Sequence, residues 1–274
     1  MRSIILHIHE DDCLEARLQA ALDLGRHFNG HLTCLQAIPF EFGVPGDFYG
    51  TLAAQMAVEF HEQAGRVRAE LEARLAKDDV PFDWQVSEGS ATRLIAGNAP
   101  LSDIIVVGAR NPTGSKDKPS RMVADLIGTS RAPMLVVPPS LKAFQFTGTA
   151  AIAWNGSAEA AHAIVGSLPL LQAASEVHIL TVREPKEGGL YSLPSLSAAE
   201  FLARHDIEAE IVDIPHEDGD STSIAEKLMD AAIIRKAGFL TMGAYGHSRL
   251  RERILGGVTR HMLMDPPLPL LLGH

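Results

Sequence analysis

The segment GAYGHSRLRERILGGVT, residues 243–259, decides the fold of this chain. Apolar residues 237–242 before it predict a buried strand, and Val258 to Met264 after it predict a helix. Glycine has no Cβ, so its backbone can adopt positive φ and approach a ligand closely. The free N–H groups at a helix start attract anions. Glycines between a strand and a helix therefore predict a phosphate site on a parallel α/β sheet, although they could instead only make tight turns.

Composition limits the classes of protein that this chain can belong to. It has 274 residues, 46% of them hydrophobic and only 5% aromatic, which suits small aliphatic helices packed on a parallel sheet. A net charge of -10 argues against a general nucleic-acid surface. The short apolar start and the lack of a long apolar run predict a cytoplasmic protein with no signal peptide and no membrane helix. Cys13 and Cys34 show no metal spacing and are interpreted as ordinary, partly buried thiols.

The sequence repeats one unit at a distance of about 135 residues. Residues 103–109 and 238–244 are matching apolar strands that end in Gly-Ala, and Pro133 and Pro269 each open a later apolar strand. Each half thus predicts the order β-α-β-α-β-α-β-α-β. The fold class that follows is α/β, with two tandem, doubly wound, mostly parallel five-stranded sheets and helices on both faces.

The element boundaries follow from periodicity and turn residues. Domains are predicted at 1–140 and 147–274, with a linker at 139–145 and a surface loop at 41–55 that could act as a lid. The predicted strands are 3–8, 31–38, 83–87, 149–154, 176–182 and 208–214, besides the strands of the repeat. The predicted helices are 14–28, 92–99, 158–168 with Ser157 as N-cap, and 221–236.

The spacing Gly-x2-Gly-x9-Gly in residues 243–256, the turn Asn155-Gly156-Ser157 and the two proline-led strands resemble the universal stress protein family. The resemblance covers nearly the whole chain and implies a tandem, Rossmann-like member with a stress-response role. It also implies that the second half binds ATP or a related adenine nucleotide, with or without Mg²⁺. The residues expected to bind it are Asn155, Val182, Met242, Gly243, Gly246, Ser248, Gly256, Gly257, Val258 and Thr259.

Two of these positions depart from the family pattern. Asn155 stands where nucleotide-binding members carry an acidic residue, and its amide can bind a ribose or adenine edge without charge. Gly257 stands where the family has Ser or Thr, which leaves a backbone N–H but no hydroxyl. Val182 is the residue expected to offer a backbone group to adenine. Arg249, Arg251 and Arg253 add positive charge nearby.

The first half has lost most of the motif. Asn111 replaces the second glycine, and Pro119 and Ser120 stand near the third. Because Pro119 has no N–H to offer a phosphate, this half is predicted to be degenerate and to bind nucleotide weakly or not at all. A different anion site built by Lys116, Lys118 and Arg121 is the alternative.

Two acidic and histidine-rich segments were weighed as metal sites. His7 and His9 point the same way from a strand beside acidic residues 10–12, which allows zinc but more simply predicts the lining of a vestigial cleft. Residues 216–220 lack the spacing of a calcium loop and predict a solvated turn.

No catalytic signature is present, so the sequence favours binding over catalysis. Asp220, Glu184 and His247 are conceivable partners in weak ATP hydrolysis. The alternatives to a nucleotide-binding regulator are a nucleotide-free interaction scaffold and a slow nucleotide hydrolase. Residues 269–272 are an apolar candidate edge strand for pairing between the domains or between subunits, as the resemblance implies, and a homodimer is also expected.

Overall fold

Strands and helices alternate through both halves of the chain in the predicted order. The computed structural model describes residues 1–39, 51–110, 119–182, 193–217, 219–244 and 256–273, with only the backbone for 51–53. No helix in these ranges is long and apolar enough to cross a membrane. The first half contains β1 (Ser3–Ile8), α1 (Leu14–Phe28), β2 (His31–Ile38), α2 (Thr51–Leu75), β3 (Phe82–Glu88), α3 (Ala91–Asn98), β4 (Ile104–Gly108), α4 (Arg121–Ile127) and β5 (Met134–Val137). The second half contains β6 (Thr149–Ala153), α5 (Ala158–Ala173), β7 (Glu176–Val182), α6 (Ser195–Ala203), β8 (Ala209–Ile214), α7 (Ile224–Ile234), β9 (Ala237–Gly243), α8 (Gly257–Met262) and β10 (Leu270–Gly273).

The strands form one ten-stranded sheet in the order β3-β2-β1-β4-β5-β10-β9-β6-β7-β8. Neighbouring strands are parallel within each half, so the five parallel strands predicted for each half are confirmed. Between the halves, β5 and β10 are antiparallel, with Val136 opposite Leu270. This pairing joins the two expected sheets into one, because each apolar edge strand satisfies the unpaired backbone groups of the other.

Helices cover both faces of the sheet and create two hydrophobic clusters. The first cluster includes Ala16 of α1, Leu71 of α2, Ala160 of α5 and Leu202 of α6. The second cluster lies on the opposite face, and α3, α4, α7 and α8 supply Ile95, Val123, Ala232 and Met262. Both clusters run through the two halves, because the sheet beneath them is continuous.

The linker between the halves is part of the first cluster. Phe144 and Phe146 are only 4% and 3% exposed. The Phe144 ring centroid lies 5.9 Å from that of Phe239 at the start of β9, and the Phe146 centroid lies 5.8 Å from that of Phe28 at the end of α1. The Phe144 N–H donates to a carboxylate oxygen of Asp23 on α1 at 2.8 Å. The linker therefore fixes α1 of one half against β9 of the other.

Three predicted boundaries are wrong for local reasons. Helix α5 was expected to stop at Leu168 but continues through Pro169 to Ala173, held by its packing on β9 and β10. Helix α7 begins at Ile224 instead of 221, because Ser223 and Glu226 form a capping box. Residues 51–55 of the expected loop belong to α2, and the rest of that loop, 41–50, lies outside the described residues.

Candidate functional site

The carboxyl ends of three strands in the second half lie level with one another. Ala153 of β6 pairs with Leu180 of β7 on one side and with Met242 of β9 on the other. Asn155 and Val182 therefore leave the sheet at the same edge as Gly243. The chain proceeds from β6 to neighbours on opposite sides, which makes the boundary between β6 and β9 a topological switch point. Parallel α/β sheets bind ligands at such a crevice.

Asn155 shapes the turn that leads from β6 into α5. Its Oδ1 accepts a hydrogen bond from the Ser157 N–H at 3.1 Å, and Gly156 has a φ of 78°. Ser157 is the N-cap of α5, as predicted, because its Oγ accepts from the Ala160 N–H at 3.2 Å. The side-chain oxygen of Asn155 thus takes part in the turn. The residue is exposed, and its side-chain NH₂ group can donate a hydrogen bond to a ligand.

Gly243 is required for the packing of α5 against β9. A Cβ at this position would lie 2.5 Å from the backbone N of Ala160 and 2.6 Å from the carbonyl C of Glu159. Met242 beside it is only 4% exposed and packs in the second cluster. These two residues can offer a ligand only backbone groups, and Gly243 has a structural purpose that is independent of any phosphate.

No described residue crowds the start of α8, in contrast to the surroundings of Gly243. Gly256 is the N-cap and supplies no side-chain acceptor to the first N–H groups of the helix. No described atom lies within 4 Å of the Cβ position at Gly256 or Gly257. Thr259, by contrast, is 6% exposed. The site at this edge therefore consists of backbone N–H groups more than hydroxyl groups.

The remaining expected binding residues divide into two groups. Val182 and Val258 are partly buried and pack their side chains against the second cluster. Gly246, Ser248 and the three arginines of the motif lie outside the described residues. Their contribution to the site stays a prediction.

Arg17 occupies the corresponding edge of the first half. It is 1% exposed, and its guanidinium contacts the end of β1 through two backbone carbonyls, His7 at 2.9 Å from Nε and His9 at 2.6 Å from Nη2. Its Nη1 donates to both carboxylate oxygens of Asp11 at 2.9 and 3.0 Å. A Cβ at Gly108 would lie 2.7 Å from Nη1. A cation from the chain itself therefore lies against the strand end of this half.

Asp11 is the first-half counterpart of Asn155, a role beyond the lining of the vestigial cleft that was predicted for residues 10–12. Its Oδ1 accepts from the Cys13 N–H at 2.7 Å, which repeats the turn made by Asn155 before α5. The loop after β1 is longer than the loop after β6, so the two positions do not align by distance from the strand. Opposite charges at Asp11 and Arg17 were the available signal, but such pairs are common on exposed surfaces.

The helix start of the first half is capped by its own side chain. The buried Ser120 is the N-cap of α4, and its Oγ accepts from the Val123 N–H at 3.4 Å. Gly256 offers no such group at the equivalent helix in the second half. The first N–H groups of α4 therefore have a side-chain acceptor at the N-cap, whereas those of α8 do not. Lys116 and Lys118 of the alternative anion site lie outside the described residues.

Comparison with known proteins places these observations in a known architecture. No protein-family model and no curated protein matches this sequence. A universal stress protein from Archaeoglobus fulgidus DSM 4304 matches in structure with a TM-score of 0.70 and 16% identity, over 98% of this chain and 97% of that one. A functionally unknown protein from Pseudomonas aeruginosa PAO1 matches with a TM-score of 0.62 and 14% identity, over 99% of this chain and 92% of that one. The chain has the universal stress protein fold. The resemblance inferred from the motif is thereby confirmed at the level of the fold and over the full chain.

The universal stress protein fold of the first half encloses two histidines. The rings of His7 and His9 are stacked with centroids 6.1 Å apart, so they do share a side of β1 as predicted. His7 is 2% exposed, and its Nδ1 has no hydrogen-bond partner among the described atoms. No group of three or more His, Cys, Asp or Glu residues in the described ranges could hold a metal ion. The observed arrangement gives no support to the zinc alternative.

The burial of His7 predicts a pH-dependent stability. Desolvation lowers the pKa of His7 well below its usual value, and the charges of Arg17 and His9 lower the pKa further. The unfolded chain binds a proton at His7 near its ordinary pKa of about 6.5, whereas the folded chain does not. Stability is therefore expected to fall as the pH drops from 7 to 5, measured as the urea midpoint. His7→Leu should flatten this dependence, while the exposed His162→Gln should not; equal slopes for His7→Leu and wild type would contradict the argument.

The two cysteines are more deeply buried than expected. Both Cys13, the N-cap of α1, and Cys34, which belongs to the first cluster, are 0% exposed. Burial raises the pKa of Cys13 and raises that of Cys34 to about 12. Both thiols are thus structural and protonated at neutral pH.

Two concave surfaces lie outside the predicted nucleotide site. One cavity of about 620 Å³ lies at the amino ends of β4 and β5, and another of about 650 Å³ lies beside the linker. Asp103 lines the first, and its carboxylate accepts from the Arg2 and Ser3 N–H groups at 2.5 and 3.0 Å. Neither cavity includes a residue of the predicted nucleotide site.

Proposed function

We propose that the second half binds ATP or a related adenine nucleotide at the edge formed by Asn155, Gly243 and the start of α8, and that the chain is a stress-response protein that acts by binding. The observation that carries this proposal is the open helix start at Gly256 and Gly257. Among the described residues, no atom lies within 4 Å of a Cβ placed at either glycine, and the N-cap gives no side-chain acceptor to the first N–H groups of α8. Helix starts of this kind suit phosphate groups.

The residues at this edge fit a nucleotide through backbone and amide donors. The Asn155 NH₂ group suits a ribose oxygen or an adenine nitrogen, and the backbone of Val182 suits the adenine edge. Mg²⁺ would accompany the phosphates as their own counterion. Cytoplasmic location and formation of a homodimer accompany this proposal as predictions from the sequence.

Hydrolysis is less well supported than binding. Asp220, the described candidate for orienting water or metal, is held by the Lys227 ammonium and the Glu217 N–H. The hydrogen bond from Lys227 and that from the Glu217 backbone lower the pKa of Asp220. Asp220 also follows β8, which is separated from β6 by β7. Glu184 and His247 lie outside the described residues.

Thermal unfolding with and without ATP tests the proposal. ATP at about a hundred times its Kd should stabilise the wild-type chain by about 2.7 kcal/mol, because only the folded state binds it. Gly256→Val should abolish the stabilisation by filling the space that a phosphate needs, and should lower the stability without ATP by about 1 kcal/mol or less. Mg²⁺ should be varied in parallel.

Gly65→Val is the matched control, since Gly65 also has open space around its Cβ position but lies on α2, away from the proposed site. It should retain the full response to ATP. No stabilisation of the wild type would reject nucleotide binding and favour an interaction scaffold. Stabilisation accompanied by steady release of phosphate would favour a slow hydrolase.

A further inference from the structure

His7 of the first half and Ala153 of the second half occupy the same place in the repeated fold. In each half, the residue two positions before the glycine that ends β4 or β9 pairs with the residue that precedes His7 or Ala153. These register partners are Val106 with Leu6 and Thr241 with Ile152. Side chains alternate along a strand, so His7 shares the side of Ile5 in the second cluster, and Ala153 packs against the same cluster.

The two positions differ in size and in exposure. The imidazole of His7 is buried, with 2% of the residue exposed. Ala153 is partly exposed, although its register partners Leu180 and Met242 are buried. The ring of His7 therefore fills space that stays accessible above Ala153 in the second half.

A second imidazole lies parallel to the first. The ring planes of His7 and His9 are within 3° of each other, and their centroids are 6.1 Å apart. The second half has no equivalent of His9, because Asn155 follows Ala153 by two residues whereas its counterpart Asp11 follows His7 by four. His7 and His9, called the imidazole pair below, are therefore specific to the first half.

Arg17 fixes the backbone of both histidines. Its Nε donates to the carbonyl of His7 at 2.9 Å, and its Nη2 donates to the carbonyl of His9 at 2.6 Å. Arg17 stands four residues after the N-cap of α1, and Ala161 has the same position in α5. Alanine has no side-chain donor, so the second half lacks this clamp as well as the imidazole pair.

Hydrogen bonding through Nδ1 does not explain why a polar ring is buried at this position. The Nδ1 atom of His7 has no partner among the described atoms. Burial of a polar atom without a partner lowers stability. The contribution that the structure shows for the ring is therefore the space that it fills.

We propose that the imidazole pair is a built-in occupant of the first-half cleft and, together with the Arg17 clamp, keeps nucleosides out of this half. In the second half, a flat adenine ring would enter the equivalent space above Ala153, so the comparison rests on the proposed function. The changed glycines of the first half affect only the binding of phosphate groups, whereas the imidazole pair blocks the ring itself. Removing the pair should open the first half to a flat, uncharged heterocycle.

Adenosine is the probe for the first half, because it has the ring but no phosphate. Equilibrium dialysis with radiolabelled adenosine gives the moles bound per mole of the full chain. His7→Ala/His9→Ala should bind one equivalent more than the wild type, with a Kd of about 0.1 mM, whether or not the second half binds nucleotide. The variant should fold, since the second half folds around alanine at the equivalent position, and circular dichroism checks this.

The matched control is His31→Ala/His162→Ala, which removes two exposed imidazoles and should bind adenosine like the wild type. If the double variant of the imidazole pair does not fold, His7→Ala replaces it with the same expectation. The proposal is overturned if the folded variant binds no more adenosine than the wild type. A wild type that binds neither adenosine nor ATP would reject the proposed function and leave this comparison valid.

The reverse substitution tests the same space in the second half. Ala153→His places an imidazole above the position that the first half fills, and should weaken ATP binding by the chain at least about tenfold. Ala203→His adds the same ring at the exposed end of α6 and should leave ATP binding unchanged. Unchanged ATP affinity in Ala153→His, beside a wild type that binds ATP, would also overturn the proposal while the proposed function stands.

Discussion

Replacing Arg17 by alanine is expected to lower the free energy of unfolding by about 3–5 kcal/mol. Arg17 is 1% exposed, and its removal leaves the Asp11 carboxylate, which is 10% exposed, without its cation. The carbonyls of His7 and His9 lose their guanidinium donors as well. Buried acceptors without partners are costly, so the loss is much larger than that of a surface ion pair. Urea unfolding followed by circular dichroism measures it.

Arg26→Ala is the control on the same helix. Arg26 is 44% exposed and pairs with Asp78, so its loss should cost no more than about 1 kcal/mol. A double-mutant cycle of Arg17→Met and Asp11→Asn compares the two single variants with the double variant. Its coupling energy isolates the ion pair from the two hydrogen bonds to the backbone carbonyls. If Arg17→Ala and Arg26→Ala cost the same, Arg17 does not hold the end of β1.

Replacing Gly243 by valine is expected to destabilise the fold by about 3 kcal/mol or more, with or without nucleotide. The obstructing atoms belong to the backbone of α5, namely the N of Ala160 at 2.5 Å and the carbonyl C of Glu159 at 2.6 Å. A flexible side chain could move aside, but a helix packed on β9 and β10 must shift as a whole. Thermal and urea unfolding of the purified variant measure the loss.

The same substitution at Gly256 is the matched comparison, because no atom of the described residues lies within 4 Å of a Cβ at that position. Gly256→Val should cost about 1 kcal/mol or less. The pair separates two purposes of glycine in one motif, close packing at the strand end and open access at the helix start. Equal destabilisation by the two variants would show that the space around Gly256 is not available to a ligand.

The order of the elements and the repeat could be predicted from sequence, because both depend on neighbouring residues. A short apolar run and a helical apolar period mark β1 and α1 with correct ends, and Ser157 marks the start of α5 through its hydroxyl. The capping box at Ser223 was overlooked, which misplaced the start of α7 by a few residues. Errors of this kind arise where two local signals compete.

The candidate site was predictable in part. The positions of Asn155 and Gly243 at one edge follow from parallel strands that end together. The packing need at Gly243, the burial of Thr259 and the use of Asn155 in the turn did not follow, since each depends on contacts with a helix. A motif fixes which residue types stand at an edge but not which of their atoms stay free.

The sequence by itself determined the α/β class, the two repeated units and the intact glycine motif in the second unit, because periodicity and glycine placement act over a few residues. The tertiary structure alone decided that β5 is the partner of the predicted edge strand β10, that Phe144 and Phe146 fill one side of the seam between the units, and that Arg17 lies against the strand end of the first unit. These features depend on surfaces distant in sequence. Such surfaces meet only when chain folding buries apolar area and satisfies backbone groups together.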